Sequence, residues 1–443
     1  MPVKIGMVSL GCSKNLVDSE RMLYKFRKKG YSLVTEPGLS DVAVVNTCGF
    51  IQSAKEEAIE TILELAKLKE EGTIKKIIIT GCLSERYREE MAEQFPEVDA
   101  VVGIGNQEDI VDIIERVLAD NKVVEFDSKD RLSITGDRII STLPFFAYLK
   151  IAEGCDNCCT YCAIPEIRGR FRSAPMEDVL EEAQWLADNG VTELIVIAQD
   201  TTRYGEDLYG RPELPQLLQK LCGIEKLKWI RVLYCYPERI TDELLDVIAN
   251  EDKIVKYLDL PIQHCNGEIL KNMNRVGDRE YLTELMAKIR SRVPDITLRT
   301  TLITGFPGET QAQFEELAEF VKEIRFDKLG CFAYSQEEGT PAAGFDGQLD
   351  EETKNHRAEI IMEQQQLISE QDNEKKLGKE LEAVVEGFDK YAECYFGRCK
   401  SDAPDIDGKA FFTSEKALEI GQYISIKVTD TLDYDLIGEV VDR

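Results

Sequence analysis

Apolar and polar positions along the first quarter of the chain fall into two alternating rhythms. Apolar runs at 4–10, 41–46 and 76–80 read as strands, and stretches with helical spacing follow at 19–29 and 54–69. Strands alternating with helices imply crossover units on a parallel sheet. From about residue 145 the alternation resumes and repeats about six times. Strands are expected at 146–152, 193–198, 229–234, 256–260, 298–303 and 328–334, with helices such as 176–189 and 313–324 between them. Six units without a clear seventh or eighth predict an incomplete TIM-like barrel, left through a polar helix at 355–376. The tail differs: short runs at 381–385, 410–413, 423–428 and 437–441 are separated by Gly387, Gly397, Gly408 and Gly421, as in a small antiparallel β-barrel. The fold expected is therefore α/β. It has a doubly wound parallel domain over 1–125, a partial (β/α)6 barrel with its exit helix over 141–374, and a small β-barrel over 376–443.

Composition narrows the function. No apolar run approaches the length that crosses a bilayer, and the start of the chain lacks the apolar core and cleavage site of a secretory signal. A cytoplasmic protein without membrane association is expected. In that setting thirteen cysteines point to metals or catalysis, because cytosolic thiols are kept reduced. The balance of 54 basic against 83 acidic residues gives a net charge of −29. Such a chain is repelled from RNA, whose binders carry basic faces, and attracted to basic proteins.

Two groups of cysteines carry the chemistry. Cys155, Cys159 and Cys162 follow the first barrel strand in a Cys-x3-Cys-x2-Cys loop. Three thiolates at this spacing can hold three irons of a cubane cluster and leave the fourth open, at the mouth where TIM-like barrels place their chemistry. A structural zinc site needs a fourth ligand, and the only histidines, His264 and His356, lie far along the chain. Cys158 finds no completing partner in either register and reads as a bystander. The second group is Cys12, Cys48 and Cys82, each just past the carboxyl end of an expected strand and about one strand–helix unit apart. Parallel strands bring their carboxyl ends to one edge, which is where open α/β sheets bind ligands. A second three-cysteine cluster follows.

The barrel motif, with Tyr161 before its last cysteine, resembles that of the radical S-adenosylmethionine (SAM) superfamily. Two triads in this order resemble the methylthiotransferase family within it. The resemblance covers essentially the whole chain and includes residues 9–20, 198–205, 305–310 and 334–341, with a tail similar to a TRAM domain. The first two stretches point to the branch that modifies a ribosomal protein rather than tRNA. The resemblance implies two [4Fe–4S] clusters, one on Cys12, Cys48 and Cys82 and one on Cys155, Cys159 and Cys162. It further implies SAM chelated by the open iron of the barrel cluster, with Tyr161 near the adenine. The activity implied is methylthiolation of an aspartate β-carbon in small-subunit ribosomal protein twelve. A 5′-deoxyadenosyl radical abstracts hydrogen, the second cluster delivers sulfur, and a further SAM gives the methyl group. An electron-donor protein and a sulfur source are implied partners, and tRNA is not expected as a direct substrate.

Polar residues at expected strand ends complete the candidates. Gln199, Gln263 and Arg299 are candidates for cofactor contacts; Arg168, Asp200 and Ser335 are candidates for substrate. Tyr236 and His264 share such positions, and half of this set is expected to be structural, since strand-end polar groups also satisfy loops. Radical abstraction needs no general base, so His264 reads as structural or SAM-adjacent. Residues 305–310 lack the lysine of a P-loop and read as a turn. The remaining six cysteines read as structural thiols. Two other functions use the same features: a tRNA adenosine methylthiotransferase, and a non-catalytic metal-binding factor for ribosome assembly. From Lys376 to Arg443 there are 9 basic and 15 acidic residues, a net of −6. That suits a basic ribosomal protein better than tRNA.

Overall fold

The computed structural model describes residues 2–441. Met1, which opens the first expected region, and Asp442 and Arg443, which close the third, lie outside the described residues. The amino-terminal sheet contains β1 (Lys4–Ser9), β2 (Ser32–Val34), β3 (Val42–Thr47), β4 (Lys76–Gly81), β5 (Ala100–Val102) and β6 (Val123–Glu125). Its order is β2-β1-β3-β4-β5-β6 and every pair is parallel. Alternate residues of a strand face opposite sides, so Val42 and Val44 meet one layer of helices and Ala43 and Val45 the other. Met22 and Phe26 of α1 (Ser13–Lys29) and Ile113 and Val117 of α4 (Ile110–Leu118) cover the first face. Ile62 and Leu65 of α2 (Gln52–Glu70) and Leu83 of α3 (Cys82–Gln94) cover the second. This is the doubly wound arrangement expected. The chain runs from β1 outward to β2 and then crosses back to β3, so the switch point of the sheet lies between β1 and β3.

The central unit opens with β7 (Phe146–Lys150) and a short antiparallel hairpin, β8 (Ala152–Glu153) with β9 (Arg172–Ser173). It continues through β10 (Glu193–Ile197), β11 (Trp229–Val232), β12 (Ile254–Asp259), β13 (Thr297–Thr304) and β14 (Lys328–Ala333). These six strands pair in parallel in the order β14-β13-β12-β11-β10-β7, neighbours in sequence being neighbours in space. The barrel is open, as six units require. Its inner face, with Phe146, Tyr148, Ile195, Trp229 and Tyr257, packs against Val17 of α1 and against Val384 and Ala403 of the carboxyl-terminal unit. Both neighbouring units thus cover the inner face of the open barrel.

After the helix Glu351–Glu374, the tail closes into a five-stranded barrel: β15 (Glu380–Asp389), β16 (Cys394–Cys399), β17 (Ala410–Thr413), β18 (Tyr423–Thr431) and β19 (Leu436–Val440). One pair departs from the antiparallel expectation. β17 and β19 run parallel, because β18 lies on the far side of β19 and returns the chain in the opposite sense. Buried ion pairs weld the units together. Glu193 of β10 binds Arg398 of β16 at 2.7 Å, and Arg138, in the segment before β7, spans Glu20 of α1 at 2.7 Å and Glu182 of the barrel at 2.9 Å. No helix among the described residues is long and apolar enough to cross a membrane.

Candidate active site

The amino-terminal triad stands on the carboxyl edge of the first sheet. Cys12 is the N-cap of α1, Cys82 is the first residue of α3, and Cys48 lies one residue past β3. Two helix N-termini therefore present amide N–H groups to this edge, and their partial positive charge favours anionic sulfur. The loops touch closely: Gly11 has φ +85°, and a Cβ there would sit 2.7 Å from the Cys48 sulfur. Only glycine lets Cys12 and Cys48 approach in this way. Burial pushes the Cys82 thiol up to about 12, with Cys48 and Cys12 adding to the rise and Arg168 opposing it. Burial likewise raises Cys48. A metal cation placed among such buried thiols stabilises the thiolates that burial disfavours, so their protons pass to solvent as it binds.

The barrel triad occupies the loop of the β8–β9 hairpin. The Cys155 amide donates to Gly169 O (3.1 Å), the Cys162 amide to Cys159 O (3.0 Å), and the Thr160 amide to Met273 O (3.1 Å). Asn274 Nδ2 clasps the carbonyls of Asn157 and Cys158, each at 3.1 Å. Burial raises Cys155 to about 11 and Cys162 further, the neighbouring cysteines adding to both. Tyr236 Oη lies 3.5 Å from Cys159 Sγ, and the Arg275 guanidinium covers the Tyr236 ring at 4.1 Å. Tyr161 stands beside this pair; burial and the Cys159 sulfur raise its hydroxyl well above the ordinary value. Cys158 is exposed, with left-handed backbone (φ +51°).

Thiolates are the usual ligands of iron–sulfur clusters, and each triad offers three of them: Cys12 with the buried Cys48 and Cys82, and the buried Cys155 and Cys159 with the half-buried Cys162. Gln199, one of the candidates for cofactor contact, has an open acceptor. Gln199 Nε2 donates to Glu153 Oε1 at 2.8 Å, while its Oε1 is buried with no hydrogen-bond partner. A buried acceptor left open costs free energy unless a ligand donates to it.

Between the triads runs a buried polar network. α5 (Ile164–Arg168) begins two residues past Cys162 and packs Ala163 and Ile167 on Cys82. At its end Arg168 Nε donates to Cys82 Sγ (3.4 Å), NH1 to Asp18 (2.7 Å) and Glu153 (3.1 Å), and NH2 to Asn15 Oδ1 (3.0 Å). Lys150 pairs with Asp18 and, at 2.9 Å, with Glu153. This corrects the reading of Arg168 as a substrate contact: its side chain is 2% exposed and spent on partners within the protein. Asp200 is also occupied, accepting from Asn157 of the cluster loop at 2.8 Å. Ser335 donates to Glu337 at 2.6 Å. Arg299 sits near the start of β13 and pairs with Asp259 (2.8 Å) and, more distantly, Asp407 (3.7 Å) of the carboxyl-terminal unit. Gln263 holds left-handed backbone (φ +70°) beside β13. His264 is buried, accepts the Asn266 amide at 2.9 Å through Nδ1, and holds Nε2 at 3.6 Å from Glu309. Residues 305–310 form a turn that ends in a capping box from Thr310 to Gln313.

Glu337 lies in the stretch 334–341 that carries the family resemblance, but the sequence alone assigns it no role. It binds Lys55 of α2 (2.9 Å) and Arg86 of α3 (2.7 Å), clasping the amino-terminal unit to the barrel. Burial pushes its carboxyl up, but the hydrogen bonds from Ser335, Lys55 and Arg86 outweigh this and hold it below its ordinary 4.5. A depressed carboxylate stabilises the fold above its unfolded value and loses that contribution as pH falls through the folded one. Glu337→Gln is expected to cost about 1–3 kcal/mol at pH 7. Urea unfolding should show the gap to the parent narrowing as pH drops below 4.5. Gly154 supplies a second expectation. Its φ is +76°, and a Cβ added there would lie 2.1 Å from Arg170 O, so it cannot become alanine without moving the cluster loop. Gly154→Ala should cost at least about 1–3 kcal/mol and lower the iron bound per chain, read by melting temperature and iron assay.

Comparison with known proteins identifies the family. Residues 4–103 match the uncharacterized protein family UPF0004, 149–321 the radical SAM superfamily and 377–441 the TRAM domain. The chain is 47% identical to the ribosomal protein uS12 methylthiotransferase RimO of Thermoanaerobacter sp. (strain X514), over 98% of this chain and 99% of the relative. It is 48% identical to the protein of the same name from Lachnoclostridium phytofermentans, again over 98% and 99%. Among solved structures it is similar to the radical SAM methyltransferase TsrM from Kitasatospora setae, with TM-score 0.55, 12% identity and 77% of each chain covered. That likeness is one of fold.

Proposed function

The chain belongs to the family of ribosomal protein uS12 methylthiotransferases, and on that premise we propose that it replaces one hydrogen on an aspartate β-carbon of uS12 with a methylthio group. The observation that carries this reading is the pair of thiol triads, one past the carboxyl ends of β1, β3 and β4 and one past β7, bridged by the helix Ile164–Arg168, which starts beside Cys162 and ends with Arg168 on Cys82. When bound, the barrel cluster with SAM supplies a hydrogen-abstracting radical, the amino-terminal cluster supplies sulfur, and a further SAM supplies methyl. Cys155, Cys159 and Cys162 hold the first cluster; Cys12, Cys48 and Cys82 hold the second.

The chain's own residues do the rest. Gln199 Oε1, the open acceptor, takes a hydrogen bond from the amino group of SAM's methionine. Tyr161, behind the Cys159 sulfur, borders the adenine. Tyr236 and Arg275 wall the cluster from solvent. Glu153 holds Gln199 in place while sharing Lys150 and Arg168 with Asp18, so the two units keep a fixed separation. The acidic tail meets the basic substrate. The functional units correspond to residues 1–125, 141–374 and 376–443, and the protein works in the cytoplasm with an electron-donor protein and a sulfur source.

Anaerobic enzyme reconstituted with iron and sulfide, given SAM, reductant and small ribosomal subunits, should add one methylthio group to one uS12 peptide by mass spectrometry. Modification of tRNA adenosine with uS12 left unchanged would overturn the reading.

A further inference from the structure

We propose that Arg168 tunes the amino-terminal cluster, donating a charged hydrogen bond to the sulfur of Cys82 and thereby raising the cluster's reduction potential. The inference rests on the reading of Cys82 as a cluster ligand. Its geometry is fixed on every side. Arg168 is 2% exposed, and Asp18, Glu153 and Asn15 direct its NH1 and NH2 so that Nε is left facing Cys82 at 3.4 Å. A guanidinium stays protonated at any working pH, so the charge beside this sulfur is permanent. Asp18 and Glu153 face Arg168 and Lys150 two against two, and the buried Lys14, close to Cys12 and Arg168, adds a further cation to this edge.

The barrel triad is treated differently. Its sulfurs take their hydrogen bonds from neutral groups, the Ile164 amide donating to Cys162 at 3.5 Å and the Tyr236 hydroxyl standing 3.5 Å from Cys159, while the nearest guanidinium, Arg275, lies against the Tyr236 ring and is hydrogen-bonded to Pro261 O. Reduction potentials of iron–sulfur clusters follow net charge and hydrogen bonds to sulfur. One-electron reduction adds a negative charge, and a fixed cation hydrogen-bonded to the ligand sulfur stabilises that state over the oxidised one. The same five-residue helix starts beside Cys162 and ends on Cys82, so the tuning group is carried by the loop of the opposite cluster. Arg168 is therefore a positioning residue: it touches neither SAM nor substrate and acts through a ligand.

The test uses the full chain with Cys155, Cys159 and Cys162 replaced by alanine, so that only the amino-terminal cluster assembles. After anaerobic reconstitution with iron and sulfide, redox titrations followed by electron paramagnetic resonance compare this parent with the same chain carrying Arg168→Gln or Arg168→Lys. The midpoint should move to more negative potential in the glutamine variant and fall between the two in the lysine variant, at equal iron and sulfide content. Coincident midpoints at equal cluster content would overturn the inference while leaving the cluster reading intact. A parent that binds no iron overturns both. If neither variant assembles a cluster, parent protein labelled with 15N-guanidino arginine decides: a weak nitrogen coupling to the reduced cluster supports the contact, and its absence overturns it.

Discussion

Cys82→Ala is expected to abolish methylthio transfer while 5′-deoxyadenosine still accumulates from SAM, and Cys159→Ala to abolish both. The triads sit on separate sheets, and each is assembled from its own backbone: Cys82 opens α3, whereas Cys159 lies in a loop held by Met273 and Asn274. Losing a thiolate in one should leave the other formed. Substituting partners of ligands already costs about 10–100-fold in metal affinity or activity, so removing a ligand itself should lose more than that in product. Chromatography of the nucleoside and mass spectrometry of uS12, run on the same reactions, separate the two outcomes. Loss of 5′-deoxyadenosine in the Cys82 variant would contradict the division of labour.

Arg138→Met is expected to destabilise the protein by about 3–5 kcal/mol, the range for removing one partner of a buried ion pair. Arg138 has no exposed side-chain surface, and its carboxylate partners Glu20 and Glu182 are 2% and 3% exposed. Methionine fills the space and leaves Glu20, held otherwise by Ser141, without a cation. Arg21 still reaches Glu182 at 3.3 Å, so the penalty falls on the Glu20 side. Because Glu20 lies on α1 and Glu182 on a barrel helix, the damage should appear as early separation of the amino-terminal unit. Limited proteolysis between residues 126 and 144 and a lowered urea midpoint report it. A variant as stable as the parent would show that the clamp contributes nothing to the docking of the two units.

Most of the frame was legible in the sequence because its signals are local. Strands such as Val42–Thr47 and Glu193–Ile197 are continuous apolar runs, and Ala410–Thr413 coincides with the stretch expected. The strands missed explain themselves. Ser32–Val34, Ala100–Val102 and Val123–Glu125 have three residues each, too few to show a period, and Cys394–Cys399 interleaves glycine, arginine and cysteine among its apolar positions. The cysteine triads were readable because each thiol follows a strand end. What remained hidden was the network between them. Asn15 and Asp18, three apart on one face of α1, and Glu153, beside the first cluster cysteine, do their work through Arg168, and only the packing of α1 against the barrel brings them together. Glu337 was passed over for the same reason: its partners lie 282 and 251 residues away. Arginine is so often exposed that the sequence alone leaves Arg168 free for solvent or substrate, whereas carboxylates from neighbouring units draw both it and Arg299 inward.

The central claim is that each chain carries two iron–sulfur clusters, one for each triad. Iron and acid-labile sulfide analysis of anaerobically reconstituted protein, combined with Mössbauer spectroscopy, tests it most directly. Two four-iron clusters per chain are expected, falling to one when either triad is replaced by alanine. One cluster in the unaltered chain, or zinc in either triad, would contradict the account.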